Sequence, residues 1–285
     1  MTQSDTPPGS QPTIAVTGGT GRIGRAVTAM ALERGHTVIS IDRALPPDTV
    51  DHPNLTFREV DVTDHAEFKA AVRGAEALIH LAAIASPNRH PADVVHNNNV
   101  VGSYNALIIA AELGIRRVCQ ASSVNATGAV YSRAPRYDYF PMDELHPTYN
   151  EDPYSLSKWI CEEQGDSIAR RYSAMTISSL RFHAVVPTRQ TVVDRIDDAT
   201  AAKQLWGYTL LEATARSCLD GISAGYPGHE AFFIIAPDAA AKEPTMDLVR
   251  RHYPDVPLRR ELGPTEGLYD CSKAARLLNW VHGGD

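Results

Sequence analysis

Thr13-Ile14-Ala15-Val16-Thr17-Gly18-Gly19-Thr20-Gly21-Arg22-Ile23-Gly24 is the stretch on which the fold turns. An apolar run, a glycine-rich turn and a helical pattern from Arg25 to Arg34 follow one another without interruption. A strand that feeds a helix through glycines makes an anion cradle, because the helix start offers unpaired N–H groups and the positive end of its dipole. In this order Gly18 permits the tight turn, Gly21 lets the backbone approach a pyrophosphate, and Gly24 lets the helix lie close on the strand. Arg22 and Ile23 sit within the same turn. The spacing predicts a dinucleotide site.

The chain continues as such a site requires. Gly35-His36 closes the helix, Thr37 to Ile41 reads as a second buried strand, and Asp42 ends it eighteen residues beyond Gly24. An acid there accepts hydrogen bonds from the adenosine ribose, which favours NAD. Arg43, together with Arg22 and Arg25, is placed either to hold the 2′-phosphate of NADP or simply to face solvent. The expected cofactor is NAD, with NADP possible.

The remaining sequence alternates between strand and helix patterns. Strands are expected at Leu55 to Val60, Ala77 to Leu81, Arg117 to Ser122 and Met175 to Phe182. Helices are expected at Asp64 to Val72, Asn98 to Leu113 and Pro153 to Tyr172. Alternation of this kind predicts an α/β fold, a Rossmann-type doubly wound parallel sheet with ligands at the carboxyl ends of its strands. After Pro187 the pattern weakens. Thr188 to Gln204 is polar, followed by a helix from Leu210 to Ser223, a strand from Ala231 to Ala236, and short helices at Met246 to His252 and Asp270 to Trp280. The expected division is a disordered tail over 1–11, a dinucleotide-binding core carrying the catalytic residues over 12–187, and a small C-terminal substrate lobe over 188–285, interleaved with the last sheet elements.

Composition narrows the class further. The 285 residues are 43% hydrophobic with a net charge of −7, and acids and bases are mixed along the chain. No basic block suggests nucleic acid, and no apolar run reaches the ~20 residues that span a bilayer. The polar N-terminus lacks the pattern of a signal peptide. Cys119, Cys161, Cys218 and Cys271 are scattered without metal or redox spacing, and the histidines show no metal spacing either. A cytoplasmic protein without metal is expected.

Three residues carry the chemistry. Tyr154 and Lys158 lie four apart on one helix and so share a face. Ser123 follows the fifth strand at its carboxyl end. In an open parallel sheet the three can converge beside a nicotinamide. A phenol titrates near 10 unperturbed, and a neighbouring ammonium and a positive ring both favour the phenolate. Tyr154 then exchanges a proton with a substrate oxygen, Ser123 holds that oxygen, and Lys158 tunes Tyr154 and grips the ribose.

With these residues the chain resembles the extended short-chain dehydrogenase/reductases of the NAD-dependent epimerase/dehydratase group. The resemblance runs from Ile14 to Trp280 through the glycine turn, Asp61-Val62, His80-Leu81-Ala82-Ala83, Asn99-Val100-Val101-Gly102-Ser103, Ser122-Ser123 and Tyr154-Ser155-Leu156-Ser157-Lys158. It implies that Asp61 and Val62 border the adenine and that Leu81, Ala82 and Ala83 line the cofactor. It implies also that Asn99 helps organise the site and that Val185 flanks the nicotinamide. It suggests a homodimer built on two helices per subunit. Only twenty residues separate Pro187 from Tyr208, which leaves little material for a nucleotide pocket. The layout is similar to uronate dehydrogenases, although Asn125 stands one place later than their motif puts it.

The substrate side rests on thinner signals. Tyr131 to Tyr149 is aromatic and basic, suited either to sugar stacking and anion binding or to a packed surface loop. Arg133, Arg189 and Arg195 are candidates to clamp an anionic substrate, and Ser86, Asn125 and His183 are expected to face it. The reading is an NAD(P)-dependent oxidoreductase acting on a sugar or sugar acid. The alternatives are an epimerase that keeps its NAD and, from another class, an NAD(P)-sensing protein without turnover.

Overall fold

The computed structural model describes residues 11–45, 51–195 and 197–284. Of the expected tail, 1–10 lie outside the described residues.

Seven parallel strands form the main sheet in the order β3-β2-β1-β4-β5-β6-β9. They are β1 (Thr13–Thr17), β2 (Thr37–Asp42), β3 (Leu55–Glu59), β4 (Ala77–His80), β5 (Arg117–Ser123), β6 (Thr176–Phe182) and β9 (Gly228–Ile234). A small parallel pair, β7 (Val185–Val186) with β8 (Thr209–Leu210), sits beyond the end of β6. The helices are α1 (Arg22–Glu33), α2 (His65–Val72), α3 (Ala92–Leu113), α4 (Pro153–Arg171), α5 (Arg189–Arg195), α6 (Asp198–Lys203), α7 (Leu211–Ser223), α8 (Thr245–His252) and α9 (Ser272–Leu278).

The central strands are apolar on both faces because helices cover both. Successive strand residues point to opposite sides. Ile14, Val16, Ile79 and Cys119 therefore pack with Val27 of α1, Leu219 of α7 and Trp280. Ala15, Leu78 and Val118, one residue out of step, pack with Phe68 of α2, Leu107 of α3 and Ile168 of α4. The segment after residue 188 divides between layers. α7 and β9 join the main sheet and its first helical layer. A third apolar cluster stands over the strand ends, where Phe140, Met142, Leu205, Trp206, Leu248 and Leu268 pack together.

The chain winds outward from β1 through β2 to β3, then returns to place β4 on the other side of β1. The crevice between the carboxyl ends of β1 and β4 is the position that this winding leaves open to a ligand.

Several element boundaries differ from expectation, each for a physical reason. α3 begins at Ala92 rather than Asn98, directly after Pro91; His96-Asn97-Asn98 has weak helix propensity, and tertiary packing overrides it. The edge strand pairs from Gly228, opposite Thr176, and ends at Ile234. Ala236 instead donates its N–H to the Tyr208 carbonyl at 2.8 Å. The polar stretch after Pro187 folds into α5 and α6, too short to show a periodic apolar face. A four-residue 3-10 helix, Val124–Thr127, follows β5 without a sequence signal.

Candidate active site

The glycine turn closes on the rest of the crevice. Gly18 has φ +67, and a Cβ there would lie 2.8 Å from the Ala82 nitrogen. At Gly24 a Cβ would lie 2.1 Å from the Gly18 carbonyl oxygen and 2.7 Å from the Gly19 Cα. Both contacts are with backbone, so neither can be relieved by a side-chain movement. Gly21 is different, since a Cβ there would meet only the Gly18 oxygen, at 3.2 Å. α1 starts at Gly21 with no side-chain cap and no acid in its first turn. Its first N–H groups and dipole are therefore directed at the crevice, without a protein anion to satisfy them.

Two adjoining cavities share Gly18, Gly21, Leu81 and Ala83. The smaller, about 170 Å³, is bounded by Asp42, Arg43, Val60, Val62, Ala82 and Asn98. The larger, about 430 Å³, runs from Arg22, Ile23 and Gly24 past Ser123, Tyr154 and Lys158 to His183, Val185 and Gln204. Together they make a groove with an acid at one end and the Ser–Tyr–Lys set at the other.

Asp42 is held in place: its Oδ2 accepts from the Thr20 N–H (3.1 Å) and hydroxyl (2.7 Å), and its Oδ1 accepts from the Arg43 N–H at 2.8 Å. Asp61 turns to its own loop, where Thr63 donates from N–H and hydroxyl at 2.9 and 2.8 Å. Burial pushes the Asp61 carboxyl up, but those two bonds and the Arg43 guanidinium outweigh it and leave the group below the usual carboxylate range. Asp61 itself lines neither cavity, because its carboxylate is spent on its own loop, while its neighbours Val60 and Val62 supply the wall.

At the other end, the α4 N-terminus is capped by Asp152, whose Oδ1 accepts from the Tyr154 and Ser155 N–H groups at 3.0 Å each. This fixes the turn that carries Tyr154. Ser123 Oγ accepts from the Asn125 N–H (3.1 Å) and side-chain amide (3.3 Å). Its own proton is left to be donated toward the Tyr154 hydroxyl, which lines the same cavity. Tyr131 stacks edge-on against Tyr154 with ring centroids 5.8 Å apart. Lys158 is buried, and its Nζ donates to the Ala121 carbonyl of β5 at 2.6 Å, standing 6.0 Å from the centre of the Tyr154 ring.

Burial shifts two of the three groups. Burial raises the Tyr154 phenol above its ordinary value, and the Ser123 hydrogen bond offsets only part of the rise. Burial also lowers the Lys158 ammonium. Lys158 gives its Nζ to a β5 carbonyl, so in the protein alone burial outweighs the cation at the phenol.

Beneath the site lies a neutral buried imidazole. Thr17 Oγ1 accepts from the Leu81 and Ala82 N–H groups and so must donate to His80 Nδ1, 2.8 Å away. Burial, reinforced by the Lys158 charge, pushes the His80 pKa down to about 3. Thr17 and His80 thus tie the ends of β1 and β4 together.

The other expected site residues separate into those brought to the groove and those spent elsewhere. Val185, Asn125 and His183 line the large cavity. Asn125 is committed to the loop, its Oδ1 accepting from the Val130 N–H at 3.0 Å. His183 accepts from the Ala184 N–H at Nδ1 (2.7 Å) and donates from Nε2 to the Gln204 carbonyl (2.8 Å). Burial pushes its pKa down to about 4, so it is a neutral wall. Asn99 lines neither cavity. It binds the Ile84 backbone in both directions and donates to Ser157 Oγ at 3.0 Å, so it positions the loop after β4 against α4 instead of touching a cofactor.

Three of the expected substrate residues are not brought to the groove. Arg133 points outward with a 94% exposed side chain beside Glu151. Arg189 is consumed by Asp238 at 2.8 Å and by the Ala239 and Ala241 carbonyls at 2.7 Å each. Ser86 Oγ accepts from the Asn88 N–H at 3.2 Å and lines neither cavity. The Arg195 side chain lies outside what is described. Within Tyr131 to Tyr149 only Tyr131 reaches the cavity. The rest packs on itself, with Tyr137 against Phe140 and Tyr253, and Arg259 over the Tyr139 ring. Sequence reasoning missed Gln204, which sits in a polar stretch without period.

Among the described residues no helix is long and apolar enough to cross a membrane, and no group of three or more metal-ligating side chains assembles.

The pattern that defines the NAD dependent epimerase/dehydratase family matches residues 14–204. The chain is 29% identical over 174 residues to the dTDP-6-deoxy-L-talose 4-dehydrogenase (NAD(+)) of Aggregatibacter actinomycetemcomitans, covering 60% of this chain and 61% of that protein. The match thus spans less than two thirds of that relative's length. Among solved structures, UDP-glucose 4-epimerase of Thermotoga maritima with UDP-glucose superposes with a TM-score of 0.70 at 20% identity, covering 96% of this chain and 94% of that one. A mutated uronate dehydrogenase gives 0.70 at 18% identity, covering 96% of this chain and 82% of that one. These structures share the fold. The chain belongs to the NAD dependent epimerase/dehydratase family.

Proposed function

We propose that this family member is an NAD-dependent oxidoreductase that moves a hydride between the nicotinamide and the carbinol or carbonyl carbon of a sugar-like substrate. One observation carries the reading: Ser123, Tyr154 and Lys158 line the same cavity as the glycine turn and the uncapped start of α1. The residues fit the cofactor. Gly24 and Gly18 hold the turn in a shape that side chains would destroy, and the protein itself has little use for the missing side chain of Gly21. The first N–H groups of α1 would hold the pyrophosphate, Asp42 the adenosine ribose and Lys158 the nicotinamide ribose. NAD supplies the hydride acceptor. NADP is disfavoured because a 2′-phosphate would meet the Asp42 carboxylate.

The chain's own groups handle the proton. Ser123, anchored by Asn125, donates to Tyr154 or to a substrate oxygen placed between them. A buried, protonated Tyr154 is a ready donor when a carbonyl is reduced. In the oxidative direction it must first lose its own proton, and the Lys158 charge at the same cavity favours that loss. Val124, Tyr131, Phe182 and neutral His183 line the cavity beside these groups.

A second reading, an epimerase that retains its NAD, draws support from the likeness to the Thermotoga maritima enzyme. Incubation with NAD and a panel of aldoses, uronates and nucleotide sugars separates the two. The oxidoreductase releases NADH into solution, whereas the epimerase isomerises a nucleotide sugar with no net NADH. We further propose that two copies pair through α3, where Val94, Val101 and Tyr104 are 41%, 42% and 46% exposed.

A further inference from the structure

We infer that Glu162 is a positioning residue for the Ser123–Tyr154–Lys158 set: with Ser122 and Arg181 it clasps the end of β5 to α4 and so fixes Ser123 against Tyr154. This rests on the oxidoreductase reading above and adds to it a group that touches neither substrate nor cofactor.

Tyr154, Lys158 and Glu162 follow one another at intervals of four along α4, so they share one face. The first two line the large cavity; Glu162 and Arg181 do not, and instead wall a separate cavity of about 340 Å³. Ser122, Glu162 and Arg181 are all buried. Ser122 Oγ donates to Glu162 Oε1. Arg181 donates to the same carboxylate with both arms of its fork, from Nε to Oε1 at 2.9 Å and from Nη2 to Oε2 at 2.7 Å. Ser122 and Arg181 are register partners on β5 and β6, so a single side chain of α4 grips both strands where they end.

The grip continues on either side of Ser122. Gln120 donates to the Cys161 carbonyl at 2.8 Å, and the Ala121 carbonyl accepts from Lys158 at 2.6 Å. Three consecutive residues of β5 are therefore bonded to α4, and the next residue is Ser123. Ser123 belongs to the strand and Tyr154 to the helix, so their separation depends on this joint.

A buried ion pair is a poor choice for stability alone, because apolar side chains of similar volume often serve as well or better. The same faces of these strands show that choice a turn away. Val118 on β5 and Ile177 on β6 pack with Ile168 of α4 in an apolar layer. Toward the site the layer becomes Gln120, Ser122, Ser179 and Arg181, all buried. What hydrogen bonds add to apolar packing is direction, which a site for proton exchange requires. The charge acts in the same sense. Burial lowers the proton affinity of Lys158, and Cys161 and Glu162 oppose that fall.

The test compares two variants with the wild type, on whichever aldose, uronate or nucleotide sugar the wild type turns over. Ser122→Ala cuts the link to β5 and leaves the ion pair whole. Ser122→Ala/Glu162→Met/Arg181→Met replaces the network with apolar groups and orphans no charge, so it should melt within a few degrees of the wild type. In both, kcat should fall about tenfold or more, with KM and the NAD Kd unchanged. A purely structural network predicts that any variant that folds keeps its kcat. An unchanged kcat in Ser122→Ala overturns the inference, whatever the triple variant does. So does a rise in KM or in the NAD Kd that matches the loss of rate. If the wild type isomerises a nucleotide sugar with no net NADH, the oxidoreductase reading fails, and the role of Glu162 is decided by the same comparison on isomerisation. A wild type that turns over no member of the panel overturns both.

Discussion

At the scale of single residues the glycine turn makes three different demands. Gly18 and Gly24 are required by the protein itself, because any Cβ at those positions would run into backbone. At Gly21 the protein's own demand is smaller, a single tight contact at 3.2 Å with the Gly18 oxygen, and what lies in the groove adds the rest. Gly24→Ala should therefore lower the melting temperature strongly and abolish NAD binding, whereas Gly21→Ala should lower the melting temperature far less and still weaken NAD binding at least about tenfold. Thermal denaturation and a fluorescence titration with NAD distinguish the two, and equal behaviour in both assays contradicts this division. These roles were legible in the sequence because they depend on local spacing. The fates of Arg133 and Arg189 were not, since the acids that claim them, Glu151 and Asp238, are respectively 18 and 49 residues away. Nor was the place of Gln204 in the cavity wall, since the polar stretch that carries it has no period.

At the scale of elements, strand and helix order was readable almost throughout the first 187 residues. Parallel strands buried on both faces are continuous apolar runs, and their helices begin and end at identifiable caps such as Asp64 and Gly114. The reading weakened where elements shorten to seven or six residues, as in α5 and α6, and where polar residues sit inside a helix, as at the start of α3. α3 also bears on assembly. Val94, Val101 and Tyr104 are spaced by seven and three residues, so they share one face, and α3 packs lengthwise on α4. Val101→Asp at the centre of that face should convert a dimer to a monomer by light scattering, with the melting temperature falling as the interface is lost. A wild-type protein that is already monomeric at micromolar concentration contradicts the pairing.

At the scale of the whole molecule, two buried imidazoles tie stability to pH. Unfolded, His80 and His183 take up a proton near pH 6.5; folded, they resist until about 3 and about 4. Between those limits the unfolded chain binds more protons, so stability is complete above pH 6.5 and is lost as the pH falls. Each histidine contributes up to about 1.4 kcal/mol for every pH unit within its window. The melting temperature should fall between about pH 7 and about pH 5.5, above the range where most carboxylates titrate. His183→Gln should reduce the slope without removing it, since burial also lowers His80, His146 and His282. A flat profile over that interval contradicts the burial of neutral imidazoles beneath the site. The same two residues join the layers of the molecule: His80 links β1 to β4, and His183 links β6 to the turn that carries Gln204.

The central claim is that a buried phenol exchanges the proton while NAD takes the hydride. Its most direct test is the rate of NADH formation from NAD and a panel of neutral sugars and uronates, by the wild type and by Tyr154→Phe, with the NAD Kd measured for both. The account predicts NADH from the wild type, a rate lower by about 10²–10⁴ in the variant, and an unchanged Kd. A variant that turns over as fast as the wild type contradicts it, and so does a wild type that binds NAD yet reduces it with no member of the panel.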